Sequence, residues 1–480
     1  MTSSVNTLFS SPLAGAAGGR AADQGAALGR GSAAWWGVLL SVLIAGVWLA
    51  AFAIGYVNAV TIITLGGFAA ALCGVKNPAI GLFGVGVLST IDPLTRVFLM
   101  TGGLLRWNTF NYLLILMMLL YLPRTLRFAD LGTRILAALM LLMCFQIPIS
   151  DALDVAFSTV INLMAAPGLL LYAMRARHDP DAIIWMALLC GVTSAVGGGI
   201  YFVQTETLPE INHNAWSAFP LTGITAICLA VPLTAARGQI QTMLVLLAGL
   251  NACWVFISGS RGGMLISLVC LIYILFQVRG PVRTRSLLLG VPLIATLLAG
   301  AFAEQNTAAL YRINKLFDSE RGLESRTSGR SDIALAGLEL FKQNPLGVGT
   351  GGFGPAFSQL NMPDISFRSE EKGSHSAWVK VAVENGIVGL LLLLVYVGSF
   401  FVMGVQSRRP GGVQLGLLVS LVLFSAFFSR EFQSKGLWLL AAGCTALYGA
   451  KAPRLYRPDI LVAVRPPSSR TVPAAGPAAP

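Results

Sequence analysis

The stretch EKGSHSAWVKVAVENGIVGLLLLLVYV, residues 371–397, passes from a polar segment into an apolar run of membrane-spanning length. An α-helix needs about 20 mostly apolar residues to cross the hydrocarbon core of a bilayer. Runs of this length recur between residues 34 and 450, and their apolar residues are continuous rather than alternating. The sequence therefore predicts an all-α, polytopic transmembrane bundle and not a membrane barrel.

The overall composition supports this fold class. Of the 480 residues, 55% are hydrophobic and only 11% are charged, whereas soluble domains carry about 25% charged residues. All seven cysteines fall inside apolar runs, so we interpret them as packing residues and expect neither disulfides nor a metal site. The net charge of +12 comes without a basic soluble domain, so no nucleic acid partner is expected.

About fourteen spans are predicted, and 12–14 allows for short breaks in the first third of the chain. They cover residues 34–55, 58–74, 79–100, 107–122, 134–150, 155–174, 182–203, 218–236, 240–258, 263–278, 286–303, 376–405, 413–429 and 436–450. The domain prediction is a disordered N-terminal tail (1–33), eleven spans (34–303), a catalytic loop (304–375), three spans (376–450) and a disordered basic tail (451–480).

Basic residues lie in alternate gaps between these spans. They are Lys76, Arg124, Arg127, Arg175, Arg177, Arg237, Arg279, Arg283, Arg285, Arg408 and Arg409. The opposite gaps hold the acidic pieces ISDALD (149–154) and QTETLPE (204–210). Because cytoplasmic loops carry an excess of Lys and Arg, both termini are predicted to be cytoplasmic and the long loop to lie on the outer face.

The loop over residues 304–375 is much longer than the other gaps, and such loops are usually functional. Its segment SDIALAGLELFKQ (331–343) places Ile333, Leu335, Leu338 and Phe341 at helical spacing, which predicts a short helix on the membrane surface. The following NPLGVGTGGFG (344–354) predicts non-helical, flexible backbone.

This topology brings three chemically capable residues to the outer face: Arg261 in the turn SGSRGG, Arg330 before the surface helix, and His375 at the end of the loop. Two guanidinium forks suit a diphosphate without a metal ion. A histidine suits removal of a proton from an attacking hydroxyl. The set fits glycosyl transfer from a lipid diphosphate, although each residue alone also fits a bland role as an interfacial anchor, an ion-pair member or a helix cap.

Two carboxylate features carry less weight. The DPD piece (179–181) has the spacing of a metal motif, but it lies in a short cytoplasmic gap and is interpreted as a turn. Glu384 follows His375 by nine positions, off the same helical face, so packing inside the membrane is the favoured interpretation.

The order of SGSRGG, then GRSDIALAGLELFKQNPLGVGTGGFG, then HSAWVKVAVENGIVGLLLLL resembles the O-antigen ligase and polysaccharide polymerase superfamily. The resemblance covers about residues 255–400. It implies a metal-independent, inverting glycosyltransferase of the bacterial inner membrane, with no cofactor. The implied donor is an undecaprenyl-diphosphate-linked glycan used on the periplasmic face during surface polysaccharide synthesis. The implied acceptor is a glycan or lipid A–core, with other polysaccharide-assembly membrane proteins as possible partners.

The resemblance also implies residue roles. Arg261 and Arg330 fall on arginines that engage the diphosphate, and His375 falls on the histidine that activates the acceptor. Two departures are visible: Ser376 stands where many relatives have Asn, and NHNAWSAFPLTG carries His213 where many have a further arginine. His213 and Arg430 are therefore secondary candidates, and ligase and polymerase both remain open.

Two other function classes remain as alternatives. A multi-pass transporter of a polar or lipid-linked solute would use the Asp92–Arg96 pair and the glycine-rich break VGGGI (196–200) as a substrate path. A purely structural bundle would give no reason to gather two arginines and a histidine on one face. The position of the polar residues favours the enzyme.

Overall fold

The computed structural model of the chain describes fourteen stretches of backbone. They are residues 80–86, 89–90, 130–176, 179–204, 213–235, 237–278, 280–288, 290, 330–360, 374, 376–407, 411–428, 432 and 434–449. Throughout this part of the chain the regular elements are helical, and no strand occurs in it. The predicted all-α fold is confirmed.

Eleven helices in these stretches have assigned bounds. They are α1 (Leu131–Gln146), α2 (Leu153–Ala176), α3 (Pro180–Gln204), α4 (His213–Ala230), α5 (Gly238–Ile257), α6 (Arg261–Gln277), α7 (Arg330–Gln343), α8 (Phe353–Gln359), α9 (Ala377–Gln406), α10 (Gly412–Phe427) and α11 (Lys435–Tyr448). Short 3-10 turns follow α1 (Ile147–Ile149) and α4 (Val231–Thr234).

Six helical segments among the described residues are long and apolar enough to cross a membrane; they belong to α1 to α5 and α9. The shorter α6 and α10 are also apolar. The protein is therefore a polytopic helical membrane protein. The nine helices α1 to α6 and α9 to α11 coincide with nine of the predicted spans. The predictions for 34–55, 58–74 and 107–122 lie outside the described residues, as does most of 79–100 and 286–303.

Helix α4 forms the centre of this bundle, since it packs against α3, α5, α6 and α11. Small residues allow the close approach, as is usual between helices in lipid. At Gly223 an added Cβ would lie 2.9 Å from Ser194 of α3 and 3.2 Å from Asn251 of α5. The Asn251 side chain also donates a 2.9 Å hydrogen bond to the Gly191 carbonyl, which joins α5 to α3.

The two ends of the bundle are chemically different. At one end, Arg237 before α5 forms a 2.7 Å ion pair with Asp181 in the first turn of α3. Asp181 belongs to the DPD piece, and the Ala182 amide donates to Asp179, so this segment begins a helix. At the other end lie the starts of α4, α6, α9 and α11, together with the end of α10. Of the candidate site residues, Arg261 and the backbone of His213 lie at this second end, as the first residues of α6 and α4.

Helix α9 changes direction within its first three turns. Gly386 has φ 65° and ψ −162°, a non-helical conformation inside an otherwise continuous helix. The first turns, Ala377–Asn385, therefore form a separate short segment that approaches α7. The longer second segment runs beside α10 and α1.

Candidate active site

Arg261 is the first residue of α6, and a capped turn places it there. The Ser260 side chain accepts a hydrogen bond from the Gly263 amide at 3.4 Å, and the Ser258 hydroxyl donates to the Val255 carbonyl at 2.7 Å. Such side-chain caps satisfy amides that a helix start leaves unpaired. Arg261 itself is half-buried. The turn thus holds a guanidinium at the end of the bundle instead of releasing it into a loop.

The start of α4 lies directly beside this turn. At Gly263 an added Cβ would stand 2.9 Å from Val255 and 3.2 Å from Ser217 of α4. His213 begins α4 one turn before Ser217. The fold therefore brings the backbone of His213 and Arg261, two of the predicted site residues, to neighbouring helix starts.

The start of α11 also packs on α4, and it carries a buried lysine. Lys435 is only 2% exposed. The carbonyl of the next residue, Gly436, accepts a 3.2 Å hydrogen bond from Thr225, and an added Cβ there would meet Thr222 at 2.7 Å. The predicted secondary residue Arg430 lies outside the described residues.

The start of α9 is anchored to the end of α10. Ser376 is the N-cap of α9, and its hydroxyl donates to the Phe427 carbonyl at 3.0 Å. Trp378 donates from its indole to the Phe424 carbonyl at 3.1 Å. His375 lies outside the described residues, whereas Ser374 and Ser376 on either side are buried.

The predicted helix over 331–343 is present as α7, but its predicted apolar face was only partly right. The face in contact with the protein carries Ile333, Ala336 and Leu340, which form a small core with Phe353, Phe357 and Val383. Leu335 and Leu338 point away and are 61% and 50% exposed. Small residues at 336 and 337 allow α7 to approach α9 closely, and this decides the buried face.

Helix α7 runs in the same direction as the first segment of α9. Gly337 faces Val379. Eight residues later in each of the two segments, the Ile387 amide donates to the Pro345 carbonyl at 3.0 Å. Arg330 precedes Gly337 by seven residues, and α9 starts two residues before Val379. At 1.5 Å per residue, the start of α7 extends about 7 Å beyond the start of α9. Arg330 therefore begins α7 at the end of the bundle where α9 also begins.

The glycine-rich stretch 344–354 differs from its prediction in two respects. Helix α8 begins inside it, at Phe353. The remainder is not a flexible connector, because the Val348 and Gly349 amides donate to the Val383 and Glu384 carbonyls, both at 3.0 Å. The glycines allow the loop to lie directly on the backbone of α9.

A buried ion pair lies in the first segment of α9. The Lys380 ammonium stands 4.0 Å from a Glu384 carboxylate oxygen, with the two side chains 8% and 1% exposed. The interpretation of Glu384 as a residue buried in the bundle agrees with this position. Sequence reasoning gave no role to Lys380, although a lysine inside the run AWVKVAVEN was a visible signal of a functional or paired charge.

The glycine-rich break proposed for a transporter is absent. Helix α3 continues without interruption through Gly197, Gly198 and Gly199 to Gln204. An added Cβ at Gly198 would stand 2.8 Å from the Trp254 ring, so this part of α3 accommodates an indole from α5. The Asp92–Arg96 pair lies outside the described residues.

Comparison with known protein families matches residues 242–394 to the O-antigen ligase family. A curated O-antigen polymerase from Salmonella muenchen is 24% identical over 180 residues. The resemblance to the O-antigen ligase and polymerase superfamily is confirmed. The aligned region covers 37% of this chain and 42% of the Salmonella polymerase, so the chain spans less than half of that relative.

The region that matches the O-antigen ligase family extends over five of the described helices. It begins in α5, continues through α6, α7 and α8, and ends in α9 after the Gly386 kink. Positions 261, 330 and 375 fall inside it, whereas His213 and Arg430 fall outside. The matched region thus contains both the capped turn and the pairing of α7 with α9.

Proposed function

We propose that the protein is a glycosyltransferase of the O-antigen ligase or polymerase type, acting on an undecaprenyl-diphosphate-linked glycan at the periplasmic face of the bacterial inner membrane. The observation that carries the proposal is the parallel pairing of α7 and α9 within the family match. It supports placing Arg330 near the start of α9, which His375 precedes by two residues. The capped turn supports Arg261 on the same side.

The proposed reaction is a direct displacement. An acceptor hydroxyl oxygen attacks the anomeric carbon of the donor, and the bond from that carbon to the diphosphate oxygen breaks. His375 takes the hydroxyl proton, and the leaving diphosphate keeps the bonding electron pair. Backside attack inverts the anomeric configuration. Arg261 and Arg330 stabilise the departing diphosphate, because guanidinium groups bind phosphate oxygens in a bidentate manner.

The acceptor is either a growing polysaccharide or lipid A–core. Both are kept in the proposal, because the matched family is named for a ligase and the curated relative is named for a polymerase. Both products serve surface polysaccharide synthesis as exopolysaccharide, capsule or O-antigen. The lipid tail of the donor lies among the apolar helices, and its glycan extends into water. The described exposed leucines of α7, Leu335 and Leu338, support its predicted position at the membrane surface.

The test is genetic complementation. The gene is deleted in its host and restored as wild type, His375→Ala or the matched control His178→Ala, which changes a histidine in a predicted cytoplasmic gap. Glycans on the undecaprenyl carrier and at the cell surface are then sized, with protein levels measured by immunoblot.

We expect His178→Ala to complement and His375→Ala to fail at normal expression. Long lipid-linked chains with bare lipid A–core identify a ligase, and accumulated single repeat units identify a polymerase. Full complementation by His375→Ala contradicts the proposed mechanism. That result would also favour the alternative function, a multi-pass transporter.

A further inference from the structure

The loop between α7 and α8 is fastened to the α9 kink by backbone hydrogen bonds in both directions. The amides of Val348 and Gly349 donate to the carbonyls of Val383 and Glu384. The Ile387 amide donates back to Pro345, beyond the kink. Bonds on both sides of Gly386 fix the axial position of the loop, since a slide along α9 breaks all three.

Side chains extend this contact to a third helix. Asn385 donates from its amide to the Thr350 hydroxyl at 3.0 Å and to the Gln146 side-chain oxygen. Thr350 in turn donates to the Met143 carbonyl at 2.9 Å, and Gln146 donates to the Leu346 carbonyl at 3.3 Å. Asn385 and Thr350 are buried. We call the set formed by Gln146, residues 345–350 and residues 383–387 the interlock.

The interlock leaves no room for a different register. At Gly347 (φ 96°) an added Cβ would contact the Glu384 carbonyl and stand 2.8 Å from the Gly386 nitrogen. At Gly386 it would stand 2.5 Å from the Pro345 oxygen. Both neighbours are backbone atoms, which cannot move aside as a flexible side chain can. The loop and the kink therefore fit in one arrangement only.

This arrangement determines where α7 begins relative to α9. Helix α7 is continuous from Arg330 to Gln343, and the interlock follows directly after Asn344. One residue of slippage moves a helix by about 1.5 Å along its axis and turns it by about 100°. Such a change displaces Arg330 from the start of α9, although the residue lies far from the interlock itself.

We propose that Asn385, Thr350 and Gln146 are positioning residues, which hold α7 in register on α9 and so set Arg330 against His375 for the transfer reaction. This inference rests on the proposed function. Misplacement of a reacting group by about 1 Å costs on the order of 100-fold in rate. Loss of the interlock therefore lowers turnover more than donor binding.

Three variants of the full chain in nanodiscs test this inference. Thr350→Val removes the hydroxyl at constant shape, Thr350→Ser keeps it, and Asn385→Ala removes the central donor. The matched control is Gly398→Ala, on the same helix, whose added Cβ meets no described atom within 4 Å. The donor is the lipid-linked glycan extracted from the deletion host, and the acceptor is the one identified by complementation.

Two readouts are combined. Hydrogen–deuterium exchange of peptides over 344–352 and 383–390 reports the interlock, and peptides from α3 report the global fold. Turnover and the donor KM report catalysis. In Thr350→Val and Asn385→Ala we expect faster exchange at the interlock and unchanged exchange in α3. In the same two variants we expect turnover to fall about 100-fold while the donor KM stays within about threefold of wild type. Thr350→Ser and Gly398→Ala are expected to behave as wild type in both readouts.

An opened interlock with wild-type turnover overturns the inference, and so does loss of turnover in Thr350→Ser at normal protection. Neither result bears on the proposed function, which fails separately if His375→Ala is active. A general loss of structure also overturns the inference. It would be seen as faster exchange in α3 in every variant, together with a rise of the donor KM equal to the fall of turnover.

Discussion

Substitution of Gly386 by alanine provides the sharpest test of how α9 is built. Its φ of 65° and ψ of −162° lie in a region that only glycine adopts readily, and a side chain there costs about 1–3 kcal/mol. The added Cβ also stands 2.5 Å from the Pro345 oxygen and the Leu346 carbonyl carbon. Overpacking of this kind costs about 1–3 kcal/mol more. The expected loss is therefore about 2–6 kcal/mol at the interlock.

The measurement is amide exchange in the full chain in nanodiscs. A local loss of about 2–6 kcal/mol corresponds to exchange faster by about 30-fold to more than 10⁴-fold at the amides that the interlock protects, Ile387 above all. Gly398→Ala is the control, because it adds the same methyl group to the same helix where no described atom lies within 4 Å of it. It is expected to leave exchange unchanged or slower, since alanine favours helix over glycine by about 1 kcal/mol.

Exchange of the Ile387 peptide within threefold of wild type in Gly386→Ala would refute this reasoning. That result would mean that α9 straightens at residue 386 without cost, and that the loop follows it. The kink would then be a consequence of glycine being present and not a requirement of the contact.

Three other substitutions test separate parts of the structure. Arg261→Lys keeps the charge but loses the planar fork, so turnover is expected to fall at least about tenfold in the reconstituted assay; wild-type turnover would exclude bidentate binding. Glu384→Gln removes the carboxylate that pairs with the buried Lys380, and we expect it to destabilise the protein by about 3–5 kcal/mol, measured as a lower unfolding temperature. The control is Glu339→Gln, which removes a carboxylate from an exposed pair and is expected to cost under about 1 kcal/mol. Gly198→Val is expected to cost about 1–3 kcal/mol by crowding the Trp254 ring, and adding Trp254→Ala should recover part of that loss; no recovery would contradict the packing assigned to α3.

The helices were predictable because their information is local. A run of some 20 apolar residues specifies a membrane helix whatever its neighbours are, so α1 to α5 and α9 appear close to their predicted positions. The starts of α6 and α7 were also predictable, since Arg261 and Arg330 each follow turn-forming residues. These local signals predicted Arg261 in the turn before one helix and Arg330 just before another, within two residues of the helix starts that the structure shows.

The buried face of α7 was not predictable by the same reasoning. Spacing of large apolar residues selected Leu335 and Leu338, but the helix buries Ala336 and Gly337 instead. The choice depends on how closely α9 approaches, and Val379 fills the space that a larger residue at 337 would need. The sequence of α7 carries apolar residues on two faces, and only the packing partner distinguishes the buried face from the exposed one.

The interlock explains why two separate phrases of the sequence belong together. The sequence predicted flexible backbone for NPLGVG and a membrane span through ENGIVG, and nothing in either composition indicates the other. Their contact is made by backbone atoms, so it leaves its trace only as positions where a Cβ does not fit, at Gly347 and Gly386. Because one phrase follows α7 and the other lies in α9, this contact joins the helix that begins at Arg330 to the helix that follows His375. In the proposed reaction, which requires a cation and a base at fixed separation, this rigid backbone joint lies about four turns from Arg330 along α7 and about two to three turns from the start of α9, where no polar group has to meet the substrate.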